Sequence, residues 1–319
     1  MYNWMLRGKK SVLVTLVNSH GSSPRQIGAQ MLVGEDGSYF GHIADGCLRS
    51  EIILQSQEAL KTGRNNFIRY GKDSRFIDIT LPCGSGVDLY FDQEFDMELA
   101  RQATIYYQKR QPFSLKINTK YGISSLKKSD FSNIHQTSFD GIAFQRVYIP
   151  PVKLVILGTD PAALLLAQHG VICGMDVQIH TPDILLVRQC LEEGVNARQI
   201  INSHQHEIEY VDASTAIIFL FHDLDYEVPL IAPLLRKNIL YLGCLGSHKT
   251  HNKRSDALLA QNVVQSDIQK IRAPIGLVEH TKSPADLAIS IIADIIKTKR
   301  DSTAVHGFNQ GKLQEVQLC

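Results

Sequence analysis

The chain has no Cys-x-x-Cys pair, no internal repeat, no apolar segment near the roughly twenty residues of a membrane span, and almost no net charge. Its cysteines stand apart at positions 47, 83, 173, 190, 244 and 319. That spacing lacks the ligand pattern of a structural zinc site. It favours free thiols in a reducing compartment over a disulfide framework. A formal net charge of +1 argues against a general electrostatic mode of binding nucleic acid or an acidic membrane. Behind Arg7, Lys9 and Lys10, the apolar run Val12 to Val17 is shorter than a signal-peptide core, and Asn18-Ser19-His20 leads into a turn with no cleavage pattern. A cytoplasmic protein is expected.

With 44% hydrophobic and 20% charged residues, the composition is that of a globular protein able to bury a sizeable core. The 319 residues suggest two domains, at about 150 residues each. The best boundary is Ile149-Pro150-Pro151-Val152, because successive prolines fit neither a helix interior nor a central strand. The fold expected is α/β: an N-terminal α+β domain over residues 1–149, a C-terminal Rossmann-like parallel-sheet domain over 150–300, and a weakly ordered tail over 301–319.

In the first half, a short helix up to Arg7 precedes a strand over Ser11–Val17. A hairpin turns at Glu35-Asp36-Gly37, a helix over Glu51–Lys61 is capped by Gly63, and strands Phe76–Leu81 and Val87–Phe91 flank a turn. The polar segment 120–140 reads as a loop or irregular hairpin. After the prolines, strands and helices alternate. Strands are expected at Lys153–Leu157, Val177–His180, Ala216–Phe221 and Ile239–Leu242. Helices are expected at Pro161–His169, Ile184–Glu193, Val228–Lys237, His248–Gln261 and Ser283–Lys297. Apolar strands without alternation, separated by helices, indicate a parallel sheet covered on both faces.

Three glycine-bearing turns in the first half allow close backbone approach to a ligand: Gly21-Ser22-Ser23-Pro24-Arg25, Asp45-Gly46-Cys47 and Leu81-Pro82-Cys83-Gly84. Two of them carry a thiol. Cys173 and Cys190 read as packing residues. In the second half, ligands should bind beyond the carboxyl ends of the strands. The first such end reads Gly158-Thr159-Asp160-Pro161-Ala162-Ala163, so Asp160 stands where a dinucleotide loop carries its second glycine, and His180-Thr181 stand where a ribose-binding carboxylate belongs. Both count against NAD(P). Gly243-Cys244-Leu245-Gly246-Ser247 opens a helix holding His248, Lys249, His251, Lys253 and Arg254. Ser247 as N-cap, the free amides and these cations suit a phosphate. His222-Asp223 ends an apolar strand and either orients a ligand or satisfies the strand end.

Together these features resemble the XdhC/CoxI family, accessory factors for molybdenum hydroxylases such as xanthine dehydrogenase. The resemblance runs from about Met5 to Lys299. It rests on Gly21-Ser-Ser-Pro-Arg25, Gly28-Ala-x-Met31, Gly46-Cys47, Cys83-Gly84, His222-Asp223, Tyr241-x-Gly243-x-Leu-Gly-Ser247, Thr250, Arg254, Pro274-Ile-Gly-Leu277 and Ser283-Pro-Ala-Asp-Leu-Ala-Ile-Ser290. Family members usually show a second glycine before the cysteine at 47 and a glutamate two residues after it; here Asp45 and Arg49 occupy those places.

The resemblance implies a chaperone without turnover that binds molybdenum cofactor (molybdopterin) as cargo and hands it to an apo molybdenum hydroxylase. A cysteine desulfurase or sulfurase is an implied further partner, and a homodimer the implied assembly. Cargo-binding candidates are Ser22, Ser23, Arg25, Cys47, Cys83, Gly84, Gly158, His222, Asp223, Gly246, Ser247, His248, Lys249 and Arg254. The soft molybdenum centre would favour a thiolate, from Cys47 or Cys83. The competing readings are an NAD(P)-dependent oxidoreductase built on the Rossmann-like domain, and a docking relic that binds no cofactor.

Overall fold

Pro150 and Pro151 lie where the chain divides into two units, Met1–Pro150 and Pro151–Cys319. The computed structural model describes residues 10–21, 23, 25–76, 81, 84–131, 136–279 and 281–305. The helix expected up to Arg7 lies outside them.

Unit 1 runs β1 (Ser11–His20), β2 (Gln30–Gly34), β3 (Tyr39–Gly41), α1 (Gly46–Thr62), β4 (Asn66–Gly71), β5 (Gly86–Asp92), α2 (Met97–Gln108), β6 (Phe113–Asn118), β7 (Ile123–Lys128), β8 (Ser138–Phe139) and β9 (Ala143–Tyr148). The first five strands form an antiparallel sheet in the order β3-β2-β1-β5-β4, and the rest a second sheet, β7-β6-β9-β8. Alternation along β1 builds two cores. Val12, Val14 and Leu16 pack with Leu48, Ile52 and Ala59 of α1. Leu13 and Val17 join Tyr90 and the inward residues Leu115, Ile117 and Phe144 of the second sheet.

Several expectations shift. α1 starts five residues before Glu51, at Gly46, whose φ of +61° turns the chain into the helix. Gly63 ends it in the left-handed region (φ 66°), returning its N–H to Ala59 O, as expected of a C-cap. Phe76 is not in a strand, and residues 77–80 lie outside the described set. The polar segment 120–140 supplies β7 and β8. α2 was not anticipated, although the Asp96 carboxylate caps it through Leu99 N–H (2.8 Å).

Unit 2 runs β10 (Lys153–Gly158), α3 (Ala162–Ile172), β11 (Asp176–Thr181), α4 (Ile184–Glu192), β12 (Asn196–Gln199), β13 (Thr215–Leu220), α5 (Leu224–Ile231), β14 (Tyr241–Cys244), α6 (His248–Ala260), α7 (Gln265–Ile268) and α8 (Pro284–Val305). The strands are all parallel in the order β12-β11-β10-β13-β14. This is the Rossmann arrangement, with its switch point between β10 and β13. Every residue of β10 and β13 is buried, which accounts for the apolar runs Leu154–Leu157 and Ala216–Leu220 that follow Lys153 and Thr215.

The helix expected over Val228–Lys237 begins earlier, at Leu224, because Asp223 caps it, and it ends at Ile231. α8 stays helical past Asp301, where the tail was expected to begin. Cys190 is buried as expected, whereas Cys173, at the C-terminal cap of α3, is exposed and does not pack.

Candidate functional site

Two edges carry the chemistry, one in each unit. In unit 1, β1 and β5 pair antiparallel with His20 opposite Gly86. The turn that follows β1 and the turn that precedes β5 therefore meet at one end of the sheet. A Cβ on Gly21 (φ +91°) would lie 3.4 Å from Cβ of Ser85. Gly84 (φ +63°) has open space where its Cβ would be. Ser23 Oγ is buried without a hydrogen-bond partner among the described residues, and Arg25 is exposed. Ser22 and Cys83 lie outside the described residues.

α1 begins where the β2–β3 hairpin ends, at Gly41 opposite Met31, and its Gln57 side chain reaches Glu35 O at the far end of the hairpin. Its first turn therefore stands toward the end of the sheet where β1 finishes. Cys47 sits in that first turn and is exposed; it lies on a helix rather than in a free turn. The carboxylate of Asp45 does not cap the helix. It is drawn instead to Arg49 (3.1 Å) and His42 (3.4 Å).

Reading the sequence missed a polar cluster at this end. Asp88 of β5, only 2% exposed, accepts hydrogen bonds from Arg69 through Nε (2.7 Å) and Nη2 (3.1 Å) and from Asn18 Nδ2 (3.1 Å), and lies 2.9 Å from His20 Nε2. Burial pushes the Asp88 carboxyl up, but Arg69, His20 and Asn18 together hold it below its usual value. The only trace in the sequence is a carboxylate inside the apolar strand Val87-Asp88-Leu89-Tyr90-Phe91.

In unit 2, the switch-point crevice is satisfied from within. Leu220 O accepts the amides of Thr159 (3.2 Å) and Asp160 (3.3 Å). A Cβ on Gly158 would stand 2.2 Å from that same oxygen, so only glycine fits. Asp160 turns its carboxylate onto Ala162 N–H (2.8 Å) and toward exposed His222 Nε2 (3.2 Å). The amides that a dinucleotide's pyrophosphate would use are engaged. Asp223 caps α5 through Asp225 N–H (3.0 Å), the structural alternative left open for it. At the end of β11, His180 is buried with Nδ1 2.6 Å from His206 Nε2. Burial, reinforced by His206, pushes its pKa down to about 3.

At the start of α6, Ser247 Oγ accepts Thr250 N–H (3.3 Å), fulfilling the expected N-cap, and Gly246 (φ +123°) leaves room for the Thr250 side chain. His248 and Lys249 are exposed. Arg254 is not on this surface. Its side chain is wholly buried, paired with equally buried Glu227 (3.1 Å) and bonded to Leu245 O (2.7 Å). The helix carries Arg254 on the face turned to α5, so it ties the loop to the core instead of offering a charge to a ligand. Beside it, burial and the Glu227 charge push the Cys244 thiol well up. Among the described residues, no group of three or more His, Cys, Asp or Glu side chains is placed to hold a metal ion. No described helix is long and apolar enough to cross a membrane.

Known proteins bear on both units. A molybdenum cofactor insertion chaperone, PaoD of Escherichia coli, is 28% identical over 92% of this chain and 85% of its own length. A Bacillus subtilis protein described as a probable xanthine dehydrogenase subunit is 21% identical over 92% of this chain and 94% of its own. A solved structure described as a xanthine dehydrogenase from Bacillus halodurans superposes with a TM-score of 0.73 at 17% identity, covering 94% of this chain and 95% of that one, and so shares the fold. Residues 4–71 match the XdhC and CoxI family, and residues 154–295 match the XdhC Rossmann domain. With a family match in each unit and relatives along nearly its whole length, the chain belongs to the XdhC/CoxI family.

Proposed function

We propose that the protein is a maturation factor that binds molybdenum cofactor as cargo and delivers it to a molybdenum hydroxylase of the xanthine dehydrogenase type. The cytoplasm is the compartment in this reading. Likeness to an insertion chaperone over 92% of the chain supports the role. The observation that carries the site is the meeting of Gly21 with Ser85 at one end of the unit 1 sheet, through the pairing of His20 with Gly86. A glycine-bordered end that allows close backbone approach suits a flat pterin, and a cysteine thiolate suits its soft metal centre. In this reading Cys47 or Cys83 is the source of the thiolate, and Ser22, Ser23 and Arg25 are the turn residues assigned to the cargo.

The test is anaerobic purification from a host that makes the cofactor, followed by metal analysis and fluorescence of the oxidised pterin. Stoichiometric pterin, reduced in Cys47→Ala or Cys83→Ala, is the expected result. Folded wild-type protein carrying neither molybdenum nor pterin overturns the reading and leaves a docking role without cargo.

A further inference from the structure

The simplest role for the Asp88 cluster is to tie β1, β4 and β5 together, since Asn18, Asp88 and Arg69 are direct cross-strand neighbours. Three observations go beyond a tie. The first is a β-bulge. Up to Leu16, even-numbered residues of β1 face α1 and odd ones face the second sheet. The register shifts between Leu16 and Asn18, and the inserted residue turns Asn18 and His20 onto the face that bears Asp88 and Arg69. Bulges recur beside functional sites because they re-aim a side chain in this way.

The second is the set of donors left over. Arg69 commits Nε and Nη2, and its Nη1 makes no hydrogen bond among the described residues. Among the described residues, His20 is engaged only through Nε2, which faces Arg69 Nη2 (2.8 Å), Asn18 Nδ2 (3.2 Å) and Asp88 Oδ2 (2.9 Å). Arg69 Nη2, the nearest of the three, can only donate, so Nε2 accepts and the ring proton sits on Nδ1, where no described residue engages it. The tautomer that gives Nε2–H to Asp88 would instead leave Nδ1 an acceptor. The Arg69 and His20 side chains are 37% and 34% exposed, while the carboxylate that fixes them is buried. The third observation is in the turn that follows His20. Ser23 Oγ is buried there without a partner among the described residues, and Arg25 adds an exposed cation.

We infer that Arg69 Nη1 and His20 Nδ1 form a pre-set site for a tetrahedral oxyanion, the phosphate monoester of the cargo, with Asp88 as the positioning residue. This rests on the proposed function. The remaining Nη1 donors of a guanidinium beside an imidazole N–H, both fixed by a buried carboxylate on a rigid sheet, offer pre-set hydrogen bonds to phosphate oxygens. Exposed Arg25 adds the positive charge that Asp88 offsets on Arg69. With Arg254 buried, the start of α6 has lost the strongest phosphate-binding group expected there, and unit 1 supplies one.

The experiment titrates inorganic phosphate into the full chain labelled with 15N-histidine, following the His20 ring, which His20→Gln identifies. A saturable shift is expected in wild type, with the apparent Kd raised about tenfold in Arg69→Gln, the worth of one charge-assisted hydrogen bond. Pterin retained on purification should fall in the same variants. No response of the His20 ring to phosphate overturns the inference, as does an unchanged response in Arg69→Gln whose thermal melt is native. Should Arg69→Gln not fold, Arg69→Lys, which keeps the charge and loses the fork, is read the same way. A phosphate response in wild-type protein that never carries pterin upholds the oxyanion site and overturns the cargo reading instead.

Discussion

The two units solve the same problem, an edge where strands end and amides and charges collect, in opposite ways. In unit 2 the edge closes on itself. Leu220 O takes the amides of Thr159 and Asp160, Asp160 accepts the Ala162 amide at the start of α3, and Arg254 is buried against Glu227. In unit 1 the charged groups are held from below by Asp88 and left open above. The unit with the nucleotide-binding topology has committed its donors internally, and the less familiar sheet keeps its donors available. Fold-level analogy alone would direct the search for a ligand to the unit whose amides are already engaged.

This contrast is breakable. The largest effect expected is from Arg254→Ala, which strands the buried Glu227 carboxylate and the Leu245 carbonyl. It should cost about 3–5 kcal/mol in urea unfolding, against about 2 kcal/mol for Arg69→Ala, where Asn18 and His20 still face the buried Asp88 carboxylate and the lost charge is more than a third exposed. Equal losses would mean that both edges are structural. Next, Gly158→Ala drives a methyl into the Leu220 carbonyl and should cost about 3 kcal/mol, seen as a lowered melting temperature.

Acid should then separate the units. The native His180 pKa is lowered from 6.5 to about 3, so below pH 6.5 the unfolded chain binds a proton that the native state refuses. Unit 2 should lose roughly 2 kcal/mol by pH 5, and His180→Gln should flatten that slope. His206 and His251, also lowered, act in the same direction. Asp88 works in a different window. Its native pKa lies below 3.8, so its stabilisation holds above that pH and fades as pH falls through the native value. Hydrogen exchange resolved by unit, across this range, checks the order of loss. Asp92, raised by burial, opposes Asp88 in unit 1, and Asp88→Asn separates the two. Smallest is Asp160→Ala, which frees the Ala162 amide at the helix start and should cost about 1 kcal/mol in thermal unfolding.

Much of unit 2 is legible in the sequence. β10 and β13 are apolar runs because both faces of the sheet are covered, and Pro150-Pro151 marked the division. β12 was not readable: Asn196–Gln199 is a short, largely exposed edge strand with no apolar pattern to announce it. In β6, Phe113, Leu115 and Ile117 alternate cleanly, and that signal was there to be used. At the site, the glycine turns were visible one by one, but their meeting depends on pairing His20 with Gly86, two strands separated by the whole β2–β4 stretch. Arg254 was read as part of a basic helix face because its partner, Glu227, belongs to another helix.

The bulge in β1 has a consequence for how this protein can change length. Val17 is the one residue of the strand's second half without an opposite number on β5, since Leu16 faces Leu89 and Asn18 faces Asp88. Deleting Val17 would join Leu16 directly to Asn18 and leave Asn18, Ser19 and His20 opposite the same partners, at the loss of one core side chain. Deleting Ser19 has no such slack to draw on. It would bring His20 opposite Val87 and turn the ring toward α1, away from Asp88. Relatives that keep this edge should therefore tolerate a one-residue gap at Val17 and none between Asn18 and Gly21. A single deletion can thus be silent or ruinous two residues apart, with every charged group still present in the sequence.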